Sequence, residues 1–309
     1  MLTPRMAELL TRIQRAKRPG YHHLSPQQAR IAYRMGAEIL DLPRAPLPRV
    51  EALELPGPAG PMKARLYAPS QAPLPVLLYL HGGGFTIGGL DTHDSLCRQW
   101  ALRAGVAVVS LDYRLAPEHP FPGAVDDSLA AMRWLAAHAH TLGLNGAKLA
   151  VGGDSAGGTL AAVAALTARD EGLPLALQLL ITPGTTARCD TESHARFAKG
   201  YLLDADAIAW FFNHYATDAQ REDWRFAPLL ADDHEGVAPA CVLLAEADPL
   251  VDEGVAYADR LRAAGVPVHL ELFRGVTHDF IKMGRAIPEA LDAQAVGAAA
   301  LRHALLETP

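Results

Sequence analysis

The sequence predicts an α/β fold in which a mostly parallel central sheet carries helices on both faces. Three observations lead there. Short, largely apolar runs recur at Val76–Leu80, Val106–Leu111, Leu149–Gly152, Leu177–Ile181, Ala240–Ala245 and Val268–Phe273, each bounded by turn residues. Helical segments lie between them at Ser95–Ala104, Ala124–Ala139, Ala156–Glu171 and Glu253–Ala264, with a final Ala-rich helix from Glu289 to Leu306. Strands that are apolar throughout, rather than alternating, are buried on both faces, as in a parallel sheet covered by crossover helices. Finally, Arg49–Leu55 and Met62–Tyr67 flank the turn segment 56–60 and read as an antiparallel pair at one edge.

Ahead of the sheet, residues 1–42 read as two helices parted by Pro19-Gly20. The second starts at Ser25, an N-cap, with Pro26 at the first helical position and Gln28 three residues on. The proline-rich stretch 43–48 cannot be helical and reads as a linker. The stretch 182–239 is longer than a crossover requires. Its part 184–200 is polar and irregular, while Asp204–Tyr215 is an aromatic-rich helix. This is an expected insertion over the carboxyl edge of the sheet, where open α/β folds bind ligands.

Composition narrows the function classes. The 309 residues are 50% apolar and carry a net charge of −6, which disfavours a nucleic-acid surface. No apolar stretch is long enough to span a membrane. Residues 1–20 lack an apolar leader core and a small-residue cleavage site, and read as a surface helix. The 3 cysteines, Cys97, Cys189 and Cys241, are widely spaced. They read as buried free thiols in a reducing, cytoplasmic setting. Metal signatures of the His-Glu-x-x-His, paired-cysteine and calcium-loop types are missing, as is a phosphate-binding glycine loop. The expectation is therefore neither metal nor cofactor.

Gly152-Gly153-Asp154-Ser155-Ala156-Gly157-Gly158 contains G-x-S-x-G between a predicted strand and a predicted helix. Such a turn exposes Ser155 Oγ at a helix N-terminus, where partial positive charge favours a developing anion. His81-Gly82-Gly83-Gly84-Phe85 directly follows an apolar strand. Its glycines let backbone N–H groups approach a reacting carbonyl oxygen, with Gly83, Gly84 and Ala156 as the candidate oxyanion donors. His81 is expected to hold the loop rather than to react. A serine nucleophile needs a base and the base an orienting carboxylate. Of 13 histidines, His278 sits in a polar loop just past the last strand, whereas His269, inside that strand, is expected to face the core or a helix. Asp248 follows the strand Ala240–Ala245, with Asp252 and Glu246 as runners-up.

HGGGF at 81–85, DYRLAPEHPFP at 112–122, GDSAGG at 153–158, DPLVDEG at 248–254 and the segment His278-Asp279-Phe280 together resemble the hormone-sensitive-lipase family, and within it the bacterial carboxylesterases with a GDSAG elbow. The resemblance runs from about residue 45 to the C-terminus. It implies an α/β-hydrolase fold, Ser155, Asp248 and His278 as catalytic triad, and Gly83, Gly84 and Ala156 as oxyanion hole. It also implies a helical cap from residues 1–45 and 184–222 over a hydrolase core of 46–183 and 223–309. Val251 stands where the family often has Arg, and Phe85 where Trp is frequent.

The expected reaction is two-step acyl transfer on a small-molecule ester. His278, neutral at working pH, takes the Ser155 proton, and water later releases the acyl group. Phe85, Ile208, Phe211 and Phe212 are the expected acyl-chain contacts, and the cap favours short- to medium-chain esters. Amides, peptides and lactones are alternatives on the same site. A ligand-binding receptor of the plant gibberellin type is another, although His278 is retained here. A homodimer enters by family analogy alone.

Overall fold

Thr3 and Ser25 each stand immediately before a proline, and each starts a helix. In the computed structural model, which describes residues 1–307, Thr3 Oγ1 accepts from Met6 N and opens α1 (Pro4–Arg15). Ser25 and Gln28 form a reciprocal capping box at the start of α2 (Pro26–Leu40), which satisfies two backbone donors that a helix start otherwise leaves open.

The alternating part follows in the predicted order, with β5, β7 and β8 running further than expected and α9 ending earlier. After β1 (Arg49–Leu55) and β2 (Met62–Ala68) come β3 (Pro75–Leu80), α3 (Asp94–Ala104), β4 (Ala107–Leu111), α4 (Gly123–His138), β5 (Asn145–Asp154), α5 (Ala156–Asp170) and β6 (Leu177–Ile181). Then α6 (Glu192–Arg196) and α7 (Ala205–Tyr215) precede β7 (Ala240–Ala247), α8 (Val251–Ala263), β8 (Val268–Thr277) and α9 (Pro288–Arg302). The eight strands form one sheet in the order β1-β2-β4-β3-β5-β6-β7-β8. β2 is antiparallel to both β1 and β4, and every other pairing is parallel.

Successive strand side chains point to opposite faces, which divides the core in two. Leu78, Val109, Val151, Leu180 and Val242 pack toward α4, α5 and α8. Leu77, Val108, Ala150, Leu179 and Cys241 pack toward α3, α9 and α1. A third, smaller cluster joins α2 to α7 through Ala29, Tyr33, Ala207 and Phe211, over Ile87. Among the described residues no helix is long and apolar enough to cross a membrane.

Three expectations are corrected. His269 is exposed, because β8 is the sheet's outer strand and pairs only with β7. Cys189 is also exposed, whereas Cys97 and Cys241 are buried. The segment 184–200 is not wholly irregular: Thr191 Oγ1 caps the short helix α6 by accepting from His194 N.

Candidate active site

The backbone at Ser155 is the first sign of a functional turn. Ser155 joins β5 to α5 with φ 54° and ψ −121°, a conformation that costs an L-residue energy and persists only where its surroundings enforce it. Here Ser155 N donates to Ile181 O at 2.8 Å, tying the turn to β6. Glycine follows at 157 for a packing reason: a Cβ there would lie 1.9 Å from Leu80 O. The elbow can therefore seat α5 directly against the end of β3.

Two later strand ends deliver the partners. Asp248 follows β7 and His278 follows β8, and parallel pairing of β7 with β8 brings both to the same edge. His278 Nε2 lies 2.9 Å from Ser155 Oγ, and His278 Nδ1 lies 2.7 Å from Asp248 Oδ2. The other Asp248 oxygen accepts from Leu250 N at 3.0 Å. Asp248 and His278 are 1% and 5% exposed, so the carboxylate acts on the imidazole with little competition from water. Burial opposes protonation of His278, but the charge and hydrogen bond of Asp248 outweigh it and push its pKa up to about 9. The resting imidazole is thus held toward its protonated form, not the neutral form expected from sequence.

The runners-up are engaged elsewhere. Asp252 accepts from Ser193 N at 2.8 Å and Glu246 from Gly275 N at 2.8 Å. Val251, in place of the family's frequent Arg, is buried in the core.

Across from Ser155, Gly83 and Gly84 follow β3 with φ of 126° and 56°, values natural for glycine and strained for other residues. Among the described residues the N–H groups of Gly83, Gly84 and Ala156 donate no backbone hydrogen bond in the turns and loops. His81 is fully buried, its ring stacked on Tyr113 at 4.2 Å, and its Nδ1 donates to Gly82 O at 2.9 Å. Burial pushes its pKa down to about 3, so the ring is neutral. That is the loop-holding role read from sequence.

The four apolar candidates separate. Phe211 sits directly on the glycine loop, so a Cβ at Gly84 would lie 2.3 Å from its ring. Ile208 is buried on the same helix, and Phe212 packs edge-on against Phe226. Phe85 is 4% exposed and stacked on Tyr215 at 4.0 Å, so one face of its ring is taken up by packing.

Sequence reasoning missed three buried polar sets. Glu253 Oε2 pairs with His194 Nε2 at 2.9 Å, joining α8 to α6. Lys282 donates to Tyr33 Oη, joining the loop after His278 to α2. Asp154 pairs with His93 at 3.0 Å. Each links residues far apart in sequence, and no local motif announces such a pairing.

Comparison with known proteins identifies the family of this chain. Residues 77–282 match the family described as α/β hydrolase fold. Ethyl acetate hydrolase of Pseudomonas putida is 49% identical over 74% of this chain and 74% of its own length. Esterase LipI of Mycobacterium tuberculosis is 45% identical over 86% of each. An ester hydrolase from the metagenome of Lake Arreo, solved with a bipyridine phosphonate derivative, superposes with a TM-score of 0.94 at 41% identity, covering 98% of both chains. The chain belongs to the α/β-hydrolase fold family, in its hormone-sensitive-lipase-like branch.

Proposed function

We propose that this protein is a carboxylesterase that hydrolyses small-molecule esters through an acyl-enzyme on Ser155. The observation that carries the reading is the hydrogen-bonded chain Ser155 Oγ–His278 Nε2 and His278 Nδ1–Asp248 Oδ2, at 2.9 and 2.7 Å. In its neutral form His278 accepts the Ser155 proton as Oγ bonds to the ester carbonyl carbon. Asp248 holds the ring orientation and stabilises the imidazolium. The carbonyl oxygen gains negative charge and takes hydrogen bonds from Gly83, Gly84 and Ala156 N–H. Donors of this kind lower the barrier by about 3–4 kcal/mol each. His278 then protonates the departing alcohol, and water repeats both steps on the acyl group.

The helical segments over the site act as a cap. α2 and α7 pack on each other across the glycine loop, and Phe211 forms its floor there. A ring so close to Gly84 leaves little depth beside the reacting carbonyl, which favours short- to medium-chain acyl groups. The relatives' names, esterase and ethyl acetate hydrolase, point the same way.

The test is turnover of p-nitrophenyl esters by wild type and by Ser155→Ala, with folding checked by circular dichroism. Wild type is expected to turn over acetate and butyrate faster than dodecanoate, and Ser155→Ala to lose activity by about 10⁴-fold or more. Wild-type turnover in Ser155→Ala would remove Ser155 from the mechanism.

A further inference from the structure

The residue just before the proposed nucleophile does something that the triad does not use. Asp154 is 1% exposed, yet its carboxylate collects donors from three other segments. Tyr79 Oη donates to Oδ1 at 2.7 Å, Gly82 N to Oδ1 at 3.1 Å, and His93 Nε2 to Oδ2 at 3.0 Å. A Cβ at Gly82 would fall 2.3 Å from Asp154 Oδ2, so only glycine brings the loop this close.

Hydrogen-bond accounting fixes the role of His93. The Thr92 hydroxyl donates its single proton to Gly89 O at 2.9 Å and therefore accepts from His93 Nδ1, also at 2.9 Å. Nε2 faces the Asp154 carboxylate and donates to it. Gly82 N also lies 3.4 Å from His93 Nε2, but the nearer, charged oxygen of Asp154 is the better acceptor. Burial alone would raise the pKa of Asp154, yet the charge of His93 and these hydrogen bonds hold it well below the usual carboxylate range.

We propose that Asp154 and His93 are positioning residues for the oxyanion hole. Their buried contact pins the Gly82 N–H, while His81 Nδ1 pins the Gly82 carbonyl. The peptide is planar, so fixing the Gly82 carbonyl also fixes the direction of the Gly83 N–H. Asp154 is bonded to Ser155 through the backbone, and so one carboxylate sets the spacing between nucleophile and donor loop. Neither residue touches substrate. The inference deepens the esterase reading and rests on Gly83 and Gly84 as oxyanion donors.

The experiment compares Asp154→Asn and His93→Gln with wild type, using kcat and KM on p-nitrophenyl butyrate and the Ki of an alkyl trifluoromethyl ketone. The ketone's tetrahedral adduct places an oxyanion in the hole, so Ki reads the donors directly. A misplacement near 1 Å costs about 10²-fold, so kcat is expected to fall about 10- to 100-fold with KM within about twofold. Ki should rise by the same factor as kcat/KM falls. Folded variants with wild-type kcat, or with reduced kcat/KM and unchanged Ki, overturn the proposal. Should both variants fail to fold, Thr92→Val decides. It removes the His93 Nδ1 partner together with the Thr92 bond to Gly89 O, and a smaller parallel change in kcat and Ki is expected, whereas none would overturn the proposal. Endpoint labelling of Ser155 by a fluorophosphonate in wild type keeps the two readings apart: a wild type without label sinks the nucleophile assignment itself.

Discussion

Ser155, His278 and Asp248 illustrate how a pKa follows from packing and what it costs in rate. The buried Asp248 carboxylate favours the imidazolium, with the His278 pKa pushed up to about 9. A general base must be deprotonated to act, so kcat/KM is expected to climb with pH and level off only above about 9. An acidic limb centred near 6.5 would contradict it. Asp248→Asn removes that favouring charge and disturbs the tautomer. A loss of about 10⁴-fold in kcat at neutral pH is expected, with the fold intact by circular dichroism.

At the scale of elements, α2 and α7 form the proposed cap, which a substitution at Phe211 can test. Phe211 of α7 lies against Gly84, so Phe211→Ala opens space beside the glycine loop. Relative kcat/KM along p-nitrophenyl acetate, butyrate, octanoate and dodecanoate is expected to shift toward the longer chains. An unchanged chain-length profile would remove Phe211 from the pocket. The loop 112–122, read from sequence as structural, connects to α2. Arg30 donates to Glu118, to Thr86 O and to Ala116 O, the last two at 2.8 Å. Arg30→Ala strands those two carbonyls, and a stability loss of about 2 kcal/mol by urea unfolding is expected. The capping box should matter less, with Ser25→Ala costing about 1 kcal/mol.

For the molecule as a whole, two histidines couple stability to pH in the same direction. For His194, burial opposes the charge, yet hydrogen bonds to Cys189 and Glu253 prevail and push its pKa up to about 10. For His278 the value is about 9. A pKa raised by folding means the native state holds protons more tightly than the unfolded chain. The stabilisation is complete below the unfolded value near 6.5 and is lost as pH rises through 9 to 10. The urea midpoint is therefore expected to fall between pH 7 and pH 9.5, and to fall less in His194→Gln. A midpoint that rises over that interval would reverse the assignment.

What the sequence by itself determined is whatever is encoded over a few neighbouring residues. The runs Val76–Leu80 and Leu177–Ile181 read as buried strands, since no charged residue interrupts them. Ser25, Pro26 and Gln28 together read as a capped helix start. The glycines around Ser155 and after Leu80 announced a tight turn and a close backbone approach, because no other residue leaves that space. Chain order then ranked Asp248 and His278 among the many acids and imidazoles. Tertiary structure decided what depends on distant partners. The exposure of His269 follows from β8 being the outer strand, a matter of strand order. The engagement of Phe85 with Tyr215 depends on how α7 folds back, and the protonation of His278 on a carboxylate thirty positions away. The Asp154–His93 contact joins residues 61 apart. Local periodicity and turn chemistry extend over a few bonds, whereas desolvation and charge pairing exist only once the chain has closed around them.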